Sequence, residues 1–160
     1  MENIKDKEPV KRVEEILSKF NPNIKIIVLE NTARTAKDAA NALKCEVGAI
    51  VKSLLLKVDD SFLICLVAGD KKCSLNKMKK ILKKKNIRMA DPDEVKLNTG
   101  FSIGGVSPVA HIKKLNVLID KSLTRFANIF AAAGHPNCVF KINFNQLVKI
   151  TNASEEDISE

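Results

Sequence analysis

Ala49-Ile50-Val51-Lys52-Ser53-Leu54-Leu55-Leu56-Lys57-Val58, Asp59-Asp60-Ser61 and Phe62-Leu63-Ile64-Cys65-Leu66-Val67-Ala68 form the continuous stretch whose reading decides the fold. Two apolar runs rich in branched residues flank a short polar break. That pattern predicts strands over 49–58 and 62–68, joined by a hairpin turn. Gly69-Asp70-Lys71-Lys72 closes the second strand. Lys52 is the one charge between positions 49 and 56. It reads two ways: a lysine on a sheet edge pointing to water, or a functional lysine set in an apolar strand.

On the N-terminal side, Val10, Val13, Ile16, Leu17 and Phe20 share one face at helical spacing, so residues 9–20 read as an amphipathic helix ended by Asn21-Pro22-Asn23. A β-branched strand follows over 24–29. A second helix starts near Thr35, with Asp38 at capping-box spacing and a small apolar face of Ala36, Ala39, Ala40 and Leu43. On the C-terminal side, Ser74 caps a helix over 74–85 with Leu75, Met78, Ile81 and Leu82 inward. Asp91-Pro92-Asp93-Glu94 opens a short helix that ends at Gly100. Beyond it come a strand over 115–119, a turn or short helix over 122–126, strands over 128–133 and 139–142, and a last helix over 143–149. Residues 154–160 read as an acidic, solvated tail. Strands and helices mix without strict alternation, so the class is α+β with a mixed sheet, in a single domain over 1–153.

Composition narrows the function. Hydrophobic residues make up 45% of the 160, which argues against general disorder. No apolar run approaches the roughly 20 residues that span a bilayer. The stretch Met1-Glu2-Asn3-Ile4-Lys5-Asp6-Lys7-Glu8 is charged and lacks the apolar core of a signal peptide, so a soluble cytoplasmic protein is the expectation. Cys45, Cys65, Cys73 and Cys138 form no C-x-x-C pair, and His111 and His135 do not cluster with them; free thiols are expected, with no metal site. The net charge is +8, and setting aside Glu155, Glu156, Asp157 and Glu160 raises it to +12. Such a balance points to a polyanionic partner. Its focus is an acid-free run from 71 to 88. There Lys77, Lys80 and Lys84 fall on one helical stripe with Lys79 and Lys83 beside it. The absence of Trp and Tyr argues against base-stacking platforms.

A bent loop, Gly104-Gly105-Val106-Ser107-Pro108, lies between two apolar segments. Adjacent glycines allow positive φ and bring bare amides close to a ligand, and Pro108 fixes the exit. Such a loop can hold a polarised carbonyl oxygen without a side-chain nucleophile. Ser107 has no base near it in sequence and reads as turn chemistry. His135 ends a strand and reads as either a turn histidine or a catalytic one. G-x-S-x-G, H-E-x-x-H and P-loop motifs are absent.

Ile50-Val51-Lys52-Ser53-Leu54, Ala68-Gly69-Asp70, Thr99-Gly100, Gly104-Gly105-Val106-Ser107-Pro108, Asp120-Lys121-Ser122-Leu123 and Ala132-Ala133-Gly134 occur in that order. Together they resemble the YbaK/ProX family of free-standing aminoacyl-tRNA deacylases, relatives of the editing domain inserted in bacterial prolyl-tRNA synthetases. The resemblance covers residues 10–153. It implies an α+β fold with a mixed, partly barrel-like sheet and flanking helices. It also implies metal-free, cofactor-free hydrolysis of mischarged aminoacyl-tRNA, usually tRNA(Pro) carrying a small wrong amino acid such as alanine, 2-aminobutyrate or cysteine. Lys52, Gly104, Gly105 and Val106 then take the catalytic positions. Ser53, Ser107, Pro108, Gly134 and His135 fall on the substrate-binding side, and the lysine run holds the acceptor stem. Prolyl-tRNA synthetase enters as a possible partner. A non-catalytic tRNA-binding module, or a synthetase-associated interaction protein on the same fold, is the alternative.

Overall fold

The central hairpin of the sequence is also the centre of the sheet. In the computed structural model, which describes residues 3–31 and 33–160, β2 (Ile50–Val58) and β3 (Ser61–Ala68) pair antiparallel from Val51↔Ala68 to Val58↔Ser61. Asp59 turns the hairpin at φ 53°, a conformation Asp tolerates better than most residues. Met1 and Glu2 of the charged N-terminal stretch, and Thr32, lie outside the described residues.

From this hairpin the sheet grows both ways. β6 (Ile129–His135) runs parallel to β2, β7 (Cys138–Ile142) antiparallel to β6, and β1 (Ile26–Val28) antiparallel to β7. On the other flank β5 (Asn116–Asp120) lies parallel to β3, and β8 (Ser154–Glu156) parallel to β5. The order is β1-β7-β6-β2-β3-β5-β8, and β4 (Ile87–Met89) pairs with the far end of β2. A strand with β6 at one end and β4 at the other makes the sheet split and curl. This is the mixed, partly barrel-like α+β arrangement expected.

Among the described residues five α-helices cover the sheet. α1 (Glu8–Phe20), with Pro9 in its first turn, buries Val10, Val13 and Leu17. It comes so near β6 that a Cβ on Gly134, itself at φ +92°, would stand 2.8 Å from the Pro9 carbonyl oxygen. α2 (Ala36–Leu43) is capped by Thr35, whose side chain accepts from the Asp38 amide. α4 (Pro92–Thr99) has the full capping box of Asp91 and Glu94 and ends at Gly100, φ +81°. α5 (Phe144–Thr151) is capped by Asn143 and Gln146. α3 (Leu75–Leu82) is capped by Ser74 but stops short of the expected 85, because Lys83 takes the left-handed conformation at φ 55°. Lys84 therefore leaves the helix and pairs with Asp59 at 3.4 Å.

The largest correction concerns 154–160. The sequence reads there as a solvated tail, yet Ile158 is fully buried and packs with Met78, Leu56 and Val67. The buried carboxylate of Asp120 holds the segment. It accepts from the Ile158 amide at 2.8 Å and the Ser159 hydroxyl at 2.7 Å, and from both the amide and the hydroxyl of Ser122. Burial pushes the Asp120 carboxyl up, but these donors together outweigh it and hold it below its ordinary value. Asp157 completes the strap with a 2.9 Å contact to Lys77.

Candidate active site

β2 has two neighbours on one flank, and they do not meet. The ladder to β6 covers Ile50 and Val51, and the ladder to β4 begins at Leu56, with the Ala90 amide donating to Leu55 O at 3.0 Å. Lys52, Ser53 and Leu54 are therefore paired only with β3. The tight turn makes Val58↔Ser61 a hydrogen-bonded pair, and antiparallel pairs alternate. The Gly69 amide donating to Ile50 O at 2.7 Å keeps that phase. The amide and carbonyl of Ser53 consequently face the gap.

A cavity of about 440 Å³ opens there. Ala36 and Ala39 of α2, Ala131 and Ala132 of β6, and Met89 of β4 line it, together with Lys52, Ser53, Gly104 and Val106. The short alanine side chains leave this space free. Ser53 Oγ is buried and has no hydrogen-bond partner among the described residues. A buried hydroxyl left so costs about 1–3 kcal/mol, so a ligand group is the natural partner.

Four of the residues singled out by sequence thus converge: Lys52, Ser53, Gly104 and Val106. Gly104 has φ +96°, and a notional Cβ there would sit in ordinary contact with Arg34 and Pro136, at 3.5 and 3.6 Å. Gly105 instead lies against the end of β6, where a Cβ would meet His135 Cα and N at 3.0 Å. Its amide is committed to Ser102 O at 3.0 Å, whereas those of Gly104 and Val106 have no partner among the described residues. Lys52 lies where β2 is paired on one side only, yet it is half-buried rather than turned to water. Its half-buried ammonium donates to Lys71 O; burial holds its pKa below the usual lysine value, with Asp70 and Cys73 pulling the other way.

The other expected residues are not among those that line the cavity. Ser107 is fully buried, and its Oγ accepts from the Val109 amide at 3.3 Å while its carbonyl bonds His111 Nε2 at 2.7 Å. Pro108 is buried beside it. His135 accepts from the Asn137 amide at Nδ1, 3.0 Å, the turn reading; burial, then Lys7 and Arg34, lower its pKa. Gly134 serves the close approach of α1. The lysine stripe is broken: Lys77 and Lys84 are paired with Asp157 and Asp59, and Lys79, Lys80 and Lys83 remain around α3. α3 packs through Met78 on Leu56, Cys65 and Val67, the side of β2 that alternates with Val51, Ser53 and Leu55.

Sequence reading missed Arg34, which lines the cavity. Its place just before the Thr35 cap was the available signal. Among the described residues no three His, Cys, Asp or Glu side chains converge as a metal site needs, and no helix is long and apolar enough to cross a membrane.

A profile of the aminoacyl-tRNA editing domain matches residues 30–150. An uncharacterized protein of Bacillus subtilis, YwhH, is 30% identical over 86% of this chain and 88% of its own length. A proline–tRNA ligase of Fervidobacterium nodosum is 30% identical over 90% of this chain but only 23% of the ligase, so the chain spans about a quarter of that relative. A crystal structure described as "a putative trans-editing enzyme for prolyl tRNA synthetase" superposes with a TM-score of 0.90 at 34% identity, covering 96% of this chain and 98% of that one.

Proposed function

The chain belongs to the aminoacyl-tRNA editing domain family, and from that premise we propose that it is a trans-editing deacylase. It hydrolyses the ester that joins a small wrong amino acid, such as alanine, 2-aminobutyrate or cysteine, to tRNA(Pro). The observation that carries this reading is the alanine-lined cavity at the break in the β2 ladder, with the unmet polar groups of Ser53 beside it.

An aminoacyl ester is already activated, so positioning and stabilisation of the developing oxyanion suffice. In this reading the amides of Gly104 and Val106 donate to that oxygen, each well-aimed donor being worth roughly 3–4 kcal/mol in the transition state. The amide, carbonyl and hydroxyl of Ser53 offer the aminoacyl group a donor and an acceptor along an open strand edge. The nucleophile comes from outside the protein side chains: a water, a ribose hydroxyl of the terminal adenosine or the substrate's own side chain. Ser107 is excluded by burial and by its structural hydrogen bond. Lys52, with one donor spent on Lys71, orients the ester from the side of the loop after β3. Size does the selecting, since one methylene is worth about 1–3 kcal/mol in such a pocket.

The test is deacylation of tRNA(Pro) charged with alanine, 2-aminobutyrate, cysteine, serine or proline, with and without a chelator. Turnover of the small wrong amino acids that survives chelation, with proline spared, is the expected result. Tight tRNA binding without turnover of any member would instead establish the binding-module alternative. Assays with and without prolyl-tRNA synthetase would show whether that partner is needed.

A further inference from the structure

The four arginines of this chain fall into two groups. Arg12 holds Glu8 at 2.8 and 2.9 Å and Ala110 O at 2.7 Å. Arg88 holds Glu94 with a two-point contact at 2.8 and 3.0 Å, and Arg125 holds Asp70 likewise at 2.9 and 2.7 Å. Arg34 alone has neither a carboxylate nor a carbonyl among the described residues. It is exposed, and it lies at the cavity.

Its stem runs over the glycine loop. Arg34 Cγ and Cβ would be 3.5 and 3.7 Å from a Cβ at Gly104. Among the described residues no Asp or Glu lines the cavity. Lys7 and Arg34 both stand near enough to His135 to add to burial in lowering its pKa, so the positive charge is gathered on this rim. A guanidinium with an unused fork of donors suits a phosphate oxygen pair better than a lysine does. Lys52, the other cation of the cavity, is already tied to Lys71 O.

We propose that Arg34 is the phosphate anchor of this site. Resting on the deacylase reading, it takes the phosphodiester that joins the last two nucleotides of the tRNA, one ribose away from the aminoacyl ester. It thereby sets how far the ester enters the slot beside Ser53. The anchoring cation at the reaction site is then Arg34, and the lysines around α3 are a separate, more distant basic surface.

The experiment compares Arg34→Gln and Arg34→Lys with wild type on two substrates: alanyl-tRNA(Pro), and alanyl-adenosine, which has no phosphodiester. Wild type should favour the tRNA through a lower KM. In Arg34→Gln that advantage should shrink about ten- to a hundred-fold, through KM rather than kcat, as loss of a charged hydrogen bond predicts. Arg34→Lys should recover part of it. The slope of log KM against log salt should become shallower by about 0.7–0.9, one phosphate contact. An undiminished advantage, or an equal loss on both substrates, overturns the assignment to Arg34. Wild type that hydrolyses neither substrate overturns the deacylase reading itself, and this inference with it.

Discussion

Two polar centres sit inside this protein, and they are treated in opposite ways. The Asp120 carboxylate has donors from Ser122, Ile158 and Ser159, all of it within the fold. Ser53, at the break in the β2 ladder, keeps an orphaned hydroxyl and a backbone edge paired on one side only. A fully satisfied buried centre fastens chain to chain, and nothing is left over for a ligand. A centre left unmet costs stability until something binds. The contrast separates architecture from site better than the sequence motifs do, since both centres lie within the residues that carried the family resemblance.

The contrast can be broken in four places. The largest effect is expected at the cavity itself. Gly104→Val puts a Cβ in contact with Arg34 and Pro136 and a β-branched residue at φ +96°, so the loop must shift and its amides move. Single-turnover deacylation should fall by about 10²–10³, with the melting temperature little changed; near-normal turnover would remove the glycine loop from the mechanism. The satisfied centre should respond the other way. Asp120→Asn should lower stability by about 2–3 kcal/mol and loosen 154–160, seen as faster amide exchange at Ile158, while molecules still folded keep their turnover. The folded pKa of Asp120 lies below its unfolded value. Its contribution is thus present above the unfolded pKa and is lost as pH falls through the folded one. The wild-type stability curve should therefore drop more steeply than the Asn variant's in that acid window.

Ser53→Ala is the sharper probe, because the two readings of an orphaned hydroxyl part there. If it waits for substrate, removal leaves stability unchanged or raised by up to about 1 kcal/mol, while deacylation falls about tenfold. A destabilised variant with full activity would make Ser53 a packing residue. The smallest effect belongs to Lys77. Its exposed ion pair with Asp157 should contribute only about 0.2–1 kcal/mol, so Lys77→Ala should barely move an unfolding curve. Reversing the charge of Lys79, Lys80 and Lys83 as well should weaken tRNA binding in low salt without changing hydrolysis of alanyl-adenosine. Unchanged affinity would remove α3 from the RNA surface.

Much of the architecture was legible because it rests on local signals. The hairpin from Val51 to Ala68, the Asp91 and Asn143 capping boxes and the Thr35 and Ser74 caps lie where propensity and spacing place them. Within the candidate site, Lys52 and the Gly104 loop stood out because a charge in an apolar run and adjacent glycines are rare locally. Ser53, Gly104 and Val106 line the cavity, while Ser107, Gly105, Gly134 and His135 are not among the residues that line it. Sequence proximity within a motif cannot tell a face that lines a cavity from one that packs against a neighbouring turn.

What the chain determined by itself is therefore its elements, its central hairpin, its family and its basic surplus. Tertiary structure alone decided the rest. β4 and β8 have three residues each, too few for any period to show, and they exist because β2 and β5 offer them partners. The acid-rich terminus became a strap because Asp120, some forty residues earlier, supplies acceptors that no local pattern announces. The freedom of Arg34 and the unmet edge of Ser53 among the described residues are properties of what does not approach them. Both depend on where every other strand and carboxylate of the fold has gone, which no stretch of sequence records.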